Sequence, residues 1–195
     1  MKQQKKKFKS GFKKWCDDKS LQLRKQLKLN DFSPLCAIEL SKHLGIPIWK
    51  PHDVQGLSEE ILTELLFDSK QHWSAVTIPI DENKNLIIHN TSHSPARQQS
   101  NLMHEIAHVI CAHKVPKVKY DLGLSGFLRN YDQTQEDEAE WLGSCLQLPR
   151  TALLHSLKRS MSIEEISIKY NASQKMVNFR INVTGVKKQL SYMKS

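Results

Sequence analysis

The segment His104-Glu105-Ile106-Ala107-His108 constrains the fold of this 195-residue chain more than any other feature. It lies inside a predicted helix that Ser94 and Pro95 open and that runs to about His113. Residues four apart on a helix share one face, so the two imidazoles lie close together. The other side of this helix is apolar and must be buried; its residues are Leu102, Ile106, Val109 and Ile110. The pattern predicts a half-buried helix that presents two histidines on one face.

Two histidines with this spacing can bind one metal ion. Both rings can reach a Zn²⁺ ion at about 2.0–2.1 Å, and similar ligand sets also hold Mn²⁺ or Fe²⁺. Glu105 is poorly placed to be a third ligand, but it is near enough to hold a water molecule on the metal and take its proton. The motif therefore predicts metal-assisted hydrolysis, with His104 and His108 as ligands and Glu105 as the catalytic base. The alternative is a pair of surface histidines on an ordinary helix.

A catalytic zinc site needs a third protein ligand, which a second helix can supply. The helix predicted over residues 134–148 carries Glu136, Glu138 and Glu140. Two small residues share a face with the first and last of these glutamates and let another helix approach closely; they are Ala139 and Gly143. We therefore expect Glu136 to be the third ligand and Glu140 to steady a ligand imidazole from behind. Glu138 points elsewhere and is the alternative ligand, while at least one of the three belongs to a solvated acidic face.

The rest of the chain predicts an α+β fold with a small antiparallel sheet packed on helices. Residues 74–80 and 85–89 read as two strands of a hairpin, in which Val76, Ile78 and Ile80 alternate with smaller residues. The second strand, near Leu86 to Asn90, is predicted to hold an extended substrate by edge pairing.

Three regions are expected along the chain. They are a basic N-terminal helix in residues 1–29 (helical over 3–28), a central domain in residues 30–150 and a helical segment in residues 151–195. Within the last region, residues 162–184 have helix-turn-helix proportions, with Lys175, Asn178 and Arg180 on the second helix.

Charge is distributed unevenly along the chain. Residues 1–25 carry a net charge of +8 and residues 151–195 carry +6, whereas the stretch between them carries −5. Basic ends can contact nucleic acid, so a second hypothesis is a DNA-binding regulator whose metal site is structural or regulatory. No apolar run approaches the roughly 18–20 residues that cross a bilayer, and no signal peptide is evident. We expect a cytoplasmic protein without a membrane partner.

Several motifs together resemble the ImmA/IrrE family of metallo-endopeptidases. The likeness covers roughly residues 30–185. Its central motifs are His93 to Gln99, His104 to His108, and Glu136-x-Glu138-Ala139-Glu140 leading to Leu148-Pro149. Outlying motifs are Gly56-Leu57-Ser58, Trp73-Ser74-Ala75, Asn90, Arg180, Thr184 and Gly185. The chain departs from the family pattern at Glu140, where Asn or Asp is usual, and at Leu142-Gly143, where an aromatic residue and Ala are common.

This resemblance implies a zinc-dependent intracellular peptidase of zincin-like, gluzincin-type architecture. Family members cleave a DNA-binding repressor or a similar regulator, so a protein substrate of that kind is expected. A group that stabilises the tetrahedral oxyanion should lie near the metal. The sequence offers Tyr120, Tyr131, His93 and Arg97 for this role and does not choose among them.

Overall fold

The described part of the chain forms a mixed α+β structure. The computed structural model describes residues 8–68, 71–81, 84–113 and 132–192. The α-helices in these ranges are α1 (Phe12–Gln26), α2 (Ala37–His43), α3 (Glu59–Thr63), α4 (Pro95–Ile110), α5 (Gln133–Gln147), α6 (Arg150–Lys158), α7 (Ile163–Lys169), α8 (Gln174–Thr184) and α9 (Val186–Tyr192). The strands are β1 (Ile48–Trp49), β2 (Ala75–Asp81) and β3 (Lys84–His89). A short 3₁₀ helix (Pro51–Asp53) follows β1, and a π-helical turn (Glu64–Asp68) follows α3.

The three strands form one sheet in the order β1-β3-β2. The pairing of β2 with β3 is antiparallel, which confirms the predicted hairpin pairing. The expectation of a purely antiparallel sheet is wrong, because β1 pairs parallel to β3 with Ile48 opposite Ile87. A short strand over residues 46–49 is predicted from the sequence, but its pairing is not, because its partner lies almost forty positions away along the chain. Since β3 is paired on both sides, it is the central strand.

The N-terminal helix packs onto the same core as α2, α4 and α5. Within the described residues it begins at Phe12, because Gly11 adopts a left-handed conformation with φ 82°. The predicted helical residues 3–7 lie outside the described ranges. Phe8 and Phe12 stack with their ring centroids 5.2 Å apart, and Phe8 contacts the ring of Trp141 on α5. The aromatic side chains at the start of this helix therefore dock onto α5.

Two buried arginines bind the C-terminal end of α5. Arg24 on α1 donates from Nη2 to the Leu146 carbonyl at 2.8 Å and from Nε to the Ser33 carbonyl at 3.0 Å. Arg180 on α8 donates from Nε to the Leu148 carbonyl at 3.0 Å. Burial lowers the pKa of Arg24 to about 10, which leaves the guanidinium charged at neutral pH. Cations are favourable at a helix C-terminus, so these contacts fix α5 at the end opposite Glu136.

The C-terminal helices enclose a second group of buried apolar residues. The group runs from Leu148 to Val186 and includes Leu153, Ile166 and Val177. The predicted division of the chain near residue 150 is compatible with this second cluster and stays a prediction. Over the described ranges, no helix combines the length and apolarity that crossing a bilayer requires.

Two helices, α7 and α8, lie in the segment that was predicted to have helix-turn-helix proportions, and the helix-turn-helix character itself stays a prediction. A capping box confirms the predicted start of α7, because Ser162 Oγ accepts from the Glu165 amide and the Glu165 carboxylate accepts from the Ser162 amide. Gly185, with φ 67°, ends α8 in the left-handed conformation that glycine adopts readily. Arg180, which the hypothesis of a DNA-binding regulator places on the second helix of this segment, is only 1% exposed. Its guanidinium binds the end of α5 and does not offer a phosphate contact.

Candidate active site

Helix α4 carries both histidines of the motif on the face that meets a cleft. Its opposite face is buried through Leu102, Met103 and Ile106. The Nε2 atoms of His104 and His108 are 3.1 Å apart. The His108 side chain is 5% exposed and that of His104 is 29% exposed, so one ring lies at the bottom of the site and the other near its mouth. The predicted pairing of the two imidazoles is therefore present.

Helix α5 brings the Glu136 carboxylate to the two rings. Glu136 Oε2 lies 3.1 Å from His104 Nε2, and Oε1 lies 3.4 Å from His108 Nε2. Hydrogen bonds from His104 and then His108 hold the pKa of Glu136 well below its usual value. An ionised carboxylate and two imidazole nitrogens are suitable ligands for a divalent cation.

The close contact between α4 and α5 depends on small side chains. A Cβ atom built on Gly143 would stand 3.0 Å from the Met103 carbonyl oxygen and 3.2 Å from His104 Cα. Ala139 is fully buried one turn earlier on the same face. These contacts confirm the predicted close approach, and they place Glu136 within reach of α4.

The three side chains fit a divalent metal ion. Their ligand atoms all lie within 4.8 Å of one another, and they are the one such group found among the described residues. Tetrahedral ligands at about 2.0–2.1 Å from Zn²⁺ stand about 3.3 Å apart. The contacts of 3.1, 3.1 and 3.4 Å agree with that spacing. Two imidazole nitrogens and one carboxylate also suit Mn²⁺ or Fe²⁺, so the donor set does not select the metal.

Glu105 is buried next to this group and is bound by a residue of the sheet. Thr77 on β2 donates its Oγ1 hydrogen to Glu105 Oε2 at 2.6 Å, and the two residues are 2% and 5% exposed. Thr77 was not predicted as a site residue, because the alternation in β2 indicated Val76, Ile78 and Ile80 as the inward residues. In the structure Ile80 is 58% exposed. The inward position thus belongs to a hydroxyl that contacts Glu105.

A cleft of about 510 Å³ gives access to Glu105, His104 and Glu136. Its other lining residues are Ser74, Ser100, Asn101, Gln133, Asp137 and Glu140. Every one of these six carries a polar side chain, and the acidic groups lie on α5. The cleft therefore leaves the metal-binding group accessible from one side, as a catalytic site requires.

Glu138 lies on the buried side of the site rather than pointing away from it. Its Oε2 is 3.1 Å from His113 Nε2, and His113 Nδ1 is 2.9 Å from His108 Nδ1. Glu138 is therefore not part of the His104, His108 and Glu136 group, but it contacts the site through His113, a contact that the sequence did not predict. Burial lowers the pKa of His113, and its hydrogen bond with Glu138 acts in the opposite direction. Sequence analysis did not single out His113.

The remaining predicted site residues do not belong to the His104, His108 and Glu136 group. Glu140 is exposed and lines the cleft, and its role behind a ligand imidazole stays a prediction. His93 is buried, with Nδ1 3.4 Å from Asn101 Nδ2, and Arg97 Nη2 lies 3.4 Å from Ser74 Oγ. Tyr120 and Tyr131 lie outside the described residues. The choice of oxyanion-stabilising group therefore stays open.

Comparison with known proteins identifies one family. The family model described as "Peptidase_M78: IrrE N-terminal-like domain" matches residues 62–182. The match begins in α3, ends in α8 and includes the whole His104, His108 and Glu136 group. No curated protein and no solved structure matches the chain.

Proposed function

The chain belongs to the Peptidase_M78 family of IrrE N-terminal-like domains, and we propose that it is a zinc-dependent endopeptidase that hydrolyses a peptide bond in a regulatory protein. Family membership supports a metallopeptidase with a protein substrate. The observation that carries the proposal is the His104, His108 and Glu136 group, of which His104 and Glu136 line the same cleft as Glu105. A cytoplasmic location and a zincin-like architecture are part of the same proposal.

In this proposal three residues hold the metal and one moves a proton. His104, His108 and Glu136 are the ligands, with Zn²⁺ as the expected ion and Mn²⁺ or Fe²⁺ as alternatives. A divalent cation held there would supply Lewis acidity for the attack of water on a peptide carbonyl. Glu105 accepts the proton of the attacking water and passes it to the leaving amine. Thr77 fixes the orientation of Glu105 through its hydrogen bond to Oε2.

The substrate is proposed to lie along β2. The sequence-based expectation of pairing at Leu86 to Asn90 is wrong, because β3 is already paired with β1 and β2. Within the described ranges, β2 is an edge strand, and Thr77 on it contacts Glu105. An extended peptide that pairs with this edge would bring its backbone to the cleft.

The substrate class follows from the resemblance rather than from the cleft. Family members cleave a DNA-binding repressor or a similar regulator, and we propose a substrate of that kind. The alternative of a DNA-binding regulator loses support, because Arg180 is buried and leaves Lys175 and Asn178 as the exposed polar residues expected on that helix. We therefore keep the peptidase as the proposed function.

A peptide library prepared from a digested proteome tests the proposal. The protein is incubated with the library and Zn²⁺, and new peptide termini are identified by mass spectrometry. We expect cleavage at a restricted set of bonds and its loss on chelation. Glu105→Gln should lower the rate by about 10²- to 10⁴-fold, because an amide cannot accept the proton.

Two controls complete this experiment. Glu105→Gln should keep the zinc affinity of the wild type, since the amide oxygen can still accept from Thr77. Glu164→Gln changes an exposed glutamate on α7 and should cleave like the wild type. Cleavage that survives chelation, or that Glu105→Gln leaves unchanged, would contradict the proposal.

A further inference from the structure

His113 is folded back onto α4 by the turn that ends the helix. The His113 amide donates to the His108 carbonyl at 3.0 Å, and the Ala112 amide donates to the Val109 carbonyl at 3.0 Å. These two bonds define a Schellman motif, in which glycine is the usual residue at the left-handed position. Here that position is Ala112, with φ 52°, a conformation that costs an L-residue free energy. The chain thus accepts backbone strain at the residue that turns His113 back.

The turn completes a continuous line of contacts from α5 to the metal-binding group. Glu138 Oε2 is 3.1 Å from His113 Nε2, and His113 Nδ1 is 2.9 Å from His108 Nδ1. The side chains of Glu138, His113 and His108 are 16%, 7% and 5% exposed. His108 directs its other nitrogen, Nε2, towards His104 and Glu136. The line therefore runs through buried side chains and ends on a predicted ligand.

Only one arrangement of protons satisfies every contact in this line when His108 binds a metal. A ligand imidazole offers a lone pair on Nε2, so its proton is on Nδ1. His108 then donates from Nδ1 to His113 Nδ1, which must be without a proton. The His113 proton is consequently on Nε2, where it is donated to the Glu138 carboxylate. A carboxylate at the far end thus selects the tautomer of both rings.

We propose that Glu138 and His113 are positioning residues that lock His108 in the tautomer and ring orientation that bind the metal. This inference rests on the proposed function, because it assumes that His108 is a ligand. The sequence offered Glu138 as an alternative metal ligand. In this proposal Glu138 does not bind the metal and instead acts through the imidazoles of His113 and His108. Outer residues of this kind typically change metal affinity by about 10- to 100-fold.

Zinc affinity of purified full-length variants tests the proposal, measured with Zn²⁺ alone by chelator competition. His113→Leu removes the acceptor of the His108 proton and should weaken zinc binding by about 10- to 100-fold. Glu138→Ala should do the same, because His113 can then carry its proton on Nδ1 and face the His108 proton. His52→Leu and Glu164→Ala change an exposed histidine and an exposed glutamate and should bind zinc like the wild type.

A conservative variant separates positioning from a merely structural role. In His113→Asn the Oδ1 atom can take the place of Nδ1, and it accepts from His108 without help from Glu138. We expect His113→Asn to bind zinc within a few-fold of the wild type, and we expect Glu138→Ala to cost nothing more in that background. A structural role for Glu138 would make Glu138→Ala equally harmful in both backgrounds. The absorption spectrum of the Co²⁺-substituted protein gives a second readout, which should shift in His113→Leu and stay near wild type in His113→Asn.

The possible results distinguish this inference from the proposed function. If the wild type binds no zinc, the metal site and the positioning role both fail. If the wild type binds zinc and His113→Leu and Glu138→Ala bind it equally well, only the positioning role fails. If His113→Leu does not fold, the comparison of His113→Asn with and without Glu138→Ala decides the outcome.

Discussion

Replacing Thr77 by valine tests how the structure orients Glu105. Valine keeps the shape of the side chain and removes the hydroxyl that donates to Glu105 Oε2 at 2.6 Å. A hydrogen bond to a charged group contributes about 1.5–3 kcal/mol. Because about 1.4 kcal/mol corresponds to a factor of ten in rate, we expect kcat/KM to fall by roughly 10- to 100-fold.

The assay is cleavage of a peptide that the wild-type protein cuts, followed under conditions of limiting substrate. Zinc affinity should stay at the wild-type value, because the Thr77 hydroxyl is bonded to Glu105. Thr77→Ser retains the hydroxyl and should recover kcat/KM to within a few-fold. Wild-type kcat/KM in Thr77→Val, or an equal loss in Thr77→Val and Thr77→Ser, would refute this account of Glu105.

Three further predictions concern stability. Gly143→Val overpacks the contact between α4 and α5, where even a Cβ atom would stand 3.0 Å from the Met103 carbonyl oxygen. It should destabilise the fold by about 1–3 kcal/mol, and an unchanged melting temperature would contradict this. Arg24→Met leaves the buried Leu146 carbonyl and the partly buried Ser33 carbonyl without their donor. It should lower the unfolding free energy in urea by about 1–3 kcal/mol for the Leu146 carbonyl alone, and a wild-type midpoint would contradict this. Zinc at 100 times its Kd should raise the unfolding free energy by about 2.7 kcal/mol, an effect that a thermal scan should show for the wild type and not for Glu136→Ala.

The elements that carry the metal-binding group were predictable from local patterns. The spacing of His104 and His108 and the apolar back of the helix indicated α4, and the small residues on α5 indicated a close helix pair. Each of these signals lies within one or two helical turns of sequence. The choice of Glu136 from three nearby glutamates used only helix geometry, and the structure brings that residue to the two imidazoles.

The positions of His113 and Glu138 were not predictable in this way. On a straight helix a residue five positions after His108 points about 140° away from it. His113 returns to His108 only because α4 ends at Ile110 and Ala112 takes a left-handed conformation. Glu138 faces inwards because it contacts His113, and a straight-helix projection does not predict that contact. The periodicity of the sequence does not predict contacts that depend on how a helix ends.

Long-range contacts explain the other differences. The parallel pairing of β1 with β3 joins distant segments, and nothing in the two residues Ile48 and Trp49 indicates it. Thr77 is buried because the inward side of β2 faces Glu105. A threonine hydroxyl that donates to this carboxylate therefore occupies a position where an apolar side chain was predicted. The second hypothesis counted Arg180 among the polar residues of α8 that could contact DNA, whereas the Leu148 carbonyl at the buried C-terminal end of α5 determines its actual place. In each case a partner from elsewhere in the chain overrides the local pattern.

The metal content of purified protein tests the central claim most directly. Wild-type protein and Glu136→Ala are saturated with zinc, dialysed and measured by elemental analysis, with Glu164→Ala as the control. We predict one equivalent of zinc in the wild type and the control and almost none in Glu136→Ala. A wild-type protein without zinc, or a full equivalent in Glu136→Ala, would contradict the claim that α4 and α5 together hold the ion.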